Sequence, residues 1–224
     1  MPGGQDSQLP SYESLQVDQY CTLKIPLGSS SSSAGPGVVI IVPWHPHTRA
    51  TNPSQTPTDP EPVDKWATQG FAVAGLTVPP DGAFDAKSRI QMALRVLREQ
   101  SSIKAPGTVG LIIHDNSVVD AVDRASAALR ADGIACIIMY LAESHLPLWT
   151  PPNAPIPTLI HASRPDDGFA VFEDAPSFLR LESYPNTKPL FALANYTDYN
   201  AEAANLAHSR SVGFIEEHIS LAPR

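Results

Sequence analysis

The side chains with the clearest capacity for chemistry follow an apolar run near the middle of the chain. The run "VGLII" ends at His114 and Asp115, and a helical pattern begins directly afterwards. Backbone N–H groups at the start of a helix favour a nearby anion by about 0.3–1 kcal/mol. We therefore expect Asp115 to be a charged carboxylate at the tip of a strand. An aspartate there is also a common helix N-cap, so a purely structural role stays open.

Further polar and aromatic residues follow other apolar runs. Ligands bind at the carboxyl ends of parallel strands, so these residues are candidates for one site. The candidate catalytic residues are Asp115, His114, His45 and Asp166, and the candidate substrate contacts are Trp44, Asn116, Tyr140 and Trp149. His45 and His47 lack a third ligand at a recognisable spacing, so no metal site is predicted. The chain has no glycine-rich phosphate loop, so no organic or nucleotide cofactor is indicated.

Predicted strands and helices must position these residues. Along the chain, short apolar runs that are typical of strands alternate with helical patterns. Predicted strands cover residues 38–42, 71–78, 108–113, 134–141 and 157–162, and residues 19–27 have the pattern of an edge strand. Predicted helices lie within residues 83–100, 117–133 and 198–219. In the first of them, Ile90, Ala93, Leu94 and Leu97 form one apolar stripe. Apolar strands without polar interruption are covered on both faces, which predicts an α/β, doubly wound, mostly parallel sheet.

Length and charge narrow the classes of partner. The 224 residues, 42% of them hydrophobic, suit one core: a flexible segment over residues 1–16 and one α/β domain over 17–224. The net charge of −8 argues against nucleic acid and anionic membranes, so a small-molecule substrate is the expected partner. No apolar run reaches membrane-spanning length and the two cysteines have no metal spacing, which predicts a cytoplasmic protein. Whether it forms a homodimer stays open.

Several phrases together resemble the dienelactone hydrolase family of the α/β-hydrolase fold. "GVVIIVPWHP" is similar to the third strand and oxyanion loop of that family, and "WATQGFAVAGLTVPP" to the segment that follows. "PTLIHASRPDD" resembles the strand that ends in the acidic member of the triad, and "SYPNTKPLFA" resembles the phrase that carries the histidine. The resemblance runs from about residue 17 to the C-terminus and implies a single α/β-hydrolase-like domain.

The catalytic phrases of that family are altered in this chain. Asp115 occupies the position of the cysteine nucleophile, and the flanking glycines of the nucleophile elbow are missing. Pro189 occupies the position of the histidine. Only the acid has a counterpart, at Asp166 or its neighbour Asp167. A thiol nucleophile activated by histidine is therefore excluded.

Three functions are compatible with an aspartate in that position. The favoured expectation is a non-hydrolytic isomerase, cyclase or lyase of a small secondary metabolite, with Asp115 as general base or acid together with His114 or His45. The second is a hydrolase, with Asp115 as a covalent nucleophile or with residual hydrolytic activity. The third is a non-catalytic small-molecule-binding protein in which Asp115 only caps its helix.

Overall fold

A computed structural model describes residues 12–27, 36–44, 59–100, 109–144, 156–164 and 177–219. Eight strands form one sheet in the order β1-β2-β4-β3-β5-β6-β7-β8. The strands are β1 (Tyr12–Asp18), β2 (Cys21–Pro26), β3 (Gly37–Val42), β4 (Ala72–Thr77), β5 (Val109–Ile113), β6 (Ile134–Ala142), β7 (Thr158–Ser163) and β8 (Leu179–Tyr184). The helices are α1 (Pro62–Thr68), α2 (Ala86–Gln100), α3 (Val119–Ala131) and α4 (Ala201–His218), and a short 3₁₀ helix (Asn116–Val118) precedes α3.

The sheet is parallel from β3 to β8, and only β1 and β2 run antiparallel to their neighbours. This confirms the predicted doubly wound, mostly parallel architecture. The strand expected at residues 19–27 is present as β2. Its expected place at the edge of the sheet was wrong, because β2 lies between β1 and β4. The sheet begins at Tyr12, before the predicted domain boundary at residue 17, because main-chain pairing with β2 holds a strand that has few apolar residues.

Helices cover both faces of the sheet. One core cluster lies beneath α2 and α3 and contains the predicted stripe Ile90, Ala93, Leu94 and Leu97, all of them buried. The other cluster lies beneath α1 and α4 and includes Trp66, Ala207 and Phe214. The two buried cysteines belong to opposite clusters, Cys21 to the first and Cys136 to the second, and both are free thiols.

Two glycines have specific roles in this architecture. Gly133 ends α3 with a φ of 93°, as its place after the predicted helix indicated. Gly75 in β4 lets α1 approach the sheet closely, because a Cβ there would lie 2.9 Å from Cγ2 of Val63. Among the described residues, no helix is both long and apolar enough to cross a membrane.

Candidate functional site

Asp115 lies where the chain leaves the sheet. The ladder between β3 and β5 pairs Ile41 with Ile113, and the N–H of His114 then donates to the carbonyl of Ile41 at 2.8 Å. Asp115 follows His114 directly and lies at the carboxyl end of β5. This is the edge at which open α/β sheets bind ligands.

The two oxygens of the Asp115 carboxylate have different surroundings. Oδ1 accepts hydrogen bonds from the backbone N–H of Ser117 at 2.8 Å and from its hydroxyl at 2.6 Å. Oδ2 accepts no hydrogen bond from the described residues. The backbone at Asp115 is extended, with φ −111° and ψ 112°. The residue is therefore an unstrained N-cap that keeps one carboxylate oxygen available.

A cleft lies at the carboxyl end of the neighbouring strand, β3. Its walls come from the end of β3, the start of α1 and the loop before α4, and it encloses a cavity of about 50 Å³. The lining residues are Val42, Pro43, Glu61, Pro62, Leu193, Ala194, Asn195 and Tyr196. The enclosed part holds a few waters or a small chemical group, and the cleft is open to solvent beyond it.

Tyr196 provides the phenol of this cleft. Burial raises its pKa to about 12, and the negative charges of Asp115 and Glu61 act in the same direction. The phenol is consequently protonated at neutral pH, and its oxygen is buried behind the cleft wall. Asn195 donates from its amide nitrogen to the carboxylate of Glu61, which ties this loop to the start of α1. Tyr196 could not be identified from the sequence, because only the fold brings its loop to the end of β3 and the start of α1.

His114 faces the core and not the cleft. Its ring stacks on Tyr140 with the centroids 4.2 Å apart, and only 3% of the residue is exposed. Burial lowers its pKa to about 3, so the imidazole stays neutral across the ordinary pH range. This placement favours a packing role for His114 over the catalytic role expected from the sequence. The hydroxyl of Tyr140 contacts Ser211 Oγ at 3.2 Å, which makes Tyr140 part of the core as well.

A buried polar network on the same face was missed in the sequence. His161 in β7 shares a hydrogen bond through Nδ1 with the hydroxyl of Tyr184, at 2.9 Å, and through Nε2 with Ser211 Oγ, at 2.8 Å. The order hydroxyl, imidazole, phenol resembles a hydrolytic triad. However, His161 and Ser211 are both 0% exposed, so a substrate cannot reach them. The available signal was the single histidine inside the apolar run "PTLIHA", since buried imidazoles need hydrogen-bond partners.

The remaining candidates are placed as follows. Trp44 follows β3 and is 40% exposed, and Asn116 begins the 3₁₀ helix with a buried Oδ1 that accepts no hydrogen bond within the described chain. At the neighbouring strand tips, Arg164 Nε lies 3.2 Å from Glu143 Oε2. His45, His47, Trp149, Asp166 and Asp167 lie outside the described residues. In the parts of the chain that the structure describes, no cluster of three His, Cys, Asp or Glu side chains could hold a metal ion.

Comparison with known proteins identifies the fold. No family model and no curated protein matches the sequence. Solved structures do match over nearly the whole chain. An esterase from the planctomycete Thermogutta terrifontis has a TM-score of 0.55 at 13% identity. The match covers 97% of this chain and 98% of the esterase chain. The chain has the α/β-hydrolase fold. A monoglyceride lipase from Saccharomyces cerevisiae has a TM-score of 0.53 at 9% identity, covering 98% and 99%. A bacterial heroin esterase has a TM-score of 0.54 at 11% identity, covering 94% and 85%.

These comparisons correct the favoured functional expectation. A non-hydrolytic isomerase, cyclase or lyase of a secondary metabolite was wrong, because the structures that share this α/β-hydrolase fold are described as esterases and lipases. The expectation depended on the aspartate and proline that replace the cysteine and histidine of the resembled family. Those replacements exclude a thiol mechanism, but they leave hydrolysis by a carboxylate open.

Proposed function

We propose that this protein is a hydrolase of small esters in which Asp115 is the general base that activates water. The observation that carries the proposal is the asymmetry of the Asp115 carboxylate. Oδ1 is held by two donors of Ser117, while Oδ2 accepts nothing from the described residues. A carboxylate fixed by one oxygen presents the other in a defined direction, as a general base requires. The esterase and lipase descriptions of structures with this fold support an ester as substrate.

The reaction balances without a covalent enzyme intermediate. Oδ2 of Asp115 takes a proton from water as the water oxygen bonds to the carbonyl carbon of the ester. The tetrahedral intermediate then expels the alkoxide, which takes that proton back from Asp115 and leaves as the alcohol, so that the carboxylic acid and the free carboxylate of Asp115 remain. Backbone N–H groups at the start of a helix have no intrahelical partner, so the N–H of Asn116 is the donor we assign to the developing oxyanion.

General-base catalysis of this kind contributes about 10²–10⁴-fold, less than a complete triad supplies. We therefore expect slow turnover. The resemblance to dienelactone hydrolases supports small enol or cyclic esters as the finer substrate class.

The proposal is tested with aryl acetates and two matched variants. Asp115→Asn keeps an N-capping side chain but removes the base, and Asp120→Asn removes one exposed carboxylate from the first turn of α3. We expect the first variant to lose about 10²-fold or more in kcat/KM and the second to keep the wild-type value. Equal activity in both variants, or no turnover by the wild-type protein, would overturn the proposal.

The second candidate function is binding of a small ligand without catalysis. It is favoured by the ordinary extended backbone at Asp115 and by the capping bonds to Ser117, which are sufficient reasons for an aspartate at this position. In that case the wild-type protein binds small esters or acids, as calorimetry would detect, and releases no product.

A further inference from the structure

β8 is the last strand of the sheet, and among the described strands only β7 pairs with it. The N–H of Thr158 in β7 donates to the carbonyl of Phe178, and the N–H of Arg164 donates to the carbonyl of Tyr184. Backbone groups alternate in direction along a strand, so the even-numbered residues of β8 face β7. The odd-numbered residues direct their N–H and carbonyl groups away from the sheet: Leu179, Leu181 and Ser183.

The two edges of the sheet differ in their suitability for a further strand. The register of β1 with β2 shifts between Gln16 and Asp18, as at a β-bulge. Such an irregularity disrupts the ladder and turns an edge away from new pairing. β8 keeps a regular register with β7 over its whole length and contains neither proline nor glycine. β8 is therefore the edge that is suited to another strand.

The charged side chains of β8 lie on the face that α4 covers. Arg180 Nη2 lies 3.1 Å from Glu217 Oε2, and Glu182 Oε2 lies 3.1 Å from Arg210 Nη1. Both side chains of β8 stay partly exposed, 49% for Arg180 and 28% for Glu182. Leu181 lies on the opposite face, against the cluster beneath α2 and α3. The two charges can therefore also interact with a strand placed beyond β8.

We propose that β8 pairs antiparallel with β8 of a second copy of this chain, so that a two-fold dimer has one continuous sheet. Leu181 lies opposite the partner's Leu181, and Leu179 lies opposite the partner's Ser183. The outward N–H and carbonyl groups of these residues bond across the interface. Arg180 of each copy lies opposite the partner's Glu182, in the non-hydrogen-bonded pairs where side chains approach most closely.

Charge selects this register over its two neighbours. Centring the pair on Arg180 also lets the outward backbone groups meet, but it sets Arg180 against the partner's Arg180. Centring the pair on Glu182 sets Glu182 against the partner's Glu182. Like charges directly opposite destabilise paired strands, and opposite charges stabilise them. Of the three registers, the one centred on Leu181 alone pairs opposite charges, and the two-fold symmetry makes that pair twice.

The test measures self-association of the full-length protein by analytical ultracentrifugation. Arg180→Glu and Glu182→Arg each convert both cross-strand pairs to like charges, so each should raise the dimer dissociation constant about tenfold or more. An equimolar mixture of the two variants should form heterodimers, because two Glu side chains then face two Arg side chains. The double variant should dimerise like the wild type. The control Glu217→Gln removes the intrachain partner of Arg180 and should leave association unchanged.

The charge swap separates the interface from effects within one chain. The double variant opposes both intrachain pairs, with Glu217 and Arg210, and restores both interchain pairs, so recovery of its dimer reports the interface. If a reversal unfolds the chain, as circular dichroism would show, Arg180→Gln replaces it and should still weaken the dimer.

Three results would overturn the proposal. The first is a wild-type protein that stays monomeric up to about 0.1 mM. The second is a dimer that the changes at Arg180 and Glu182 leave intact, and the third is a mixture of folded reversal variants that stays monomeric. None of these results depends on ester hydrolysis, so the interface and the proposed function are tested separately.

Discussion

The buried imidazole of His161 should make the stability of the protein sensitive to acid. Burial lowers the pKa of His161 from 6.5 to about 3, and the nearby charge of Arg210 acts in the same direction. Between these two values the unfolded chain binds a proton at this residue and the folded chain does not. Stability is therefore complete above pH 6.5 and decreases as the pH falls below it.

The size of the effect follows from how far the pH falls below 6.5, the pKa of the unfolded histidine. Each pH unit below that value removes about 1.4 kcal/mol of unfolding free energy. Acidification from pH 7.5 to pH 5 should therefore remove roughly 2 kcal/mol. The measurement is equilibrium urea unfolding of the wild type and of His161→Gln at both pH values. The contributions of His114 and the carboxylates are common to both proteins and cancel in the comparison.

A control separates titration from the loss of hydrogen bonds. Ser211→Ala removes the partner of Nε2 but keeps the imidazole of His161, so it should be less stable at both pH values with a wild-type pH dependence. His161→Gln should instead lose about 2 kcal/mol less than the wild type on acidification. The same acid sensitivity in the wild type and in His161→Gln would refute the assignment of His161 as a buried neutral imidazole.

Two further predictions concern the core. Gly75→Ala should lower the unfolding free energy by about 1–3 kcal/mol, because the new Cβ meets the side chain of Val63. The control is Gly213→Ala in α4, where the new Cβ meets no atom within 4 Å. It should raise the unfolding free energy by up to about 1 kcal/mol. Thermal melts of the pair check this, and equal shifts would contradict it. Burial raises the thiol pKa of Cys21 to about 11 and of Cys136 to about 12, so neither should react with Ellman's reagent at pH 8 until the protein unfolds. Rapid labelling of the folded protein would contradict their placement.

The parallel centre of the sheet could be predicted because each of its strands is a short apolar run in the sequence. The runs that became β3 and β5 are apolar on both faces, and the α2 stripe repeats at the helical period. β1 and β8 were not predicted, because both are edge strands with mostly exposed or half-buried side chains. No uninterrupted apolar run marks such strands, and their stability comes from pairing with a neighbour.

The candidate site was predictable only in part for a related reason. The position of Asp115 at a strand tip follows from a local pattern, and the structure shows that one of its carboxylate oxygens caps the 3₁₀ helix. The burial of His114 against Tyr140 depends on the packing of β5 against β6. The cleft brings Tyr196 together with Pro43, which is distant from it in sequence, and no spacing rule connects the two.

The central claim is that Asp115 activates water without bonding to the substrate, and an isotope experiment tests it most directly. The full-length protein is mixed in excess with an aryl acetate in ¹⁸O-water for a single turnover, and mass spectrometry then follows the peptide that contains Asp115. The account predicts ¹⁸O in the released acetate and none in Asp115. Label in the Asp115 carboxylate would show a covalent intermediate, and it would contradict the account.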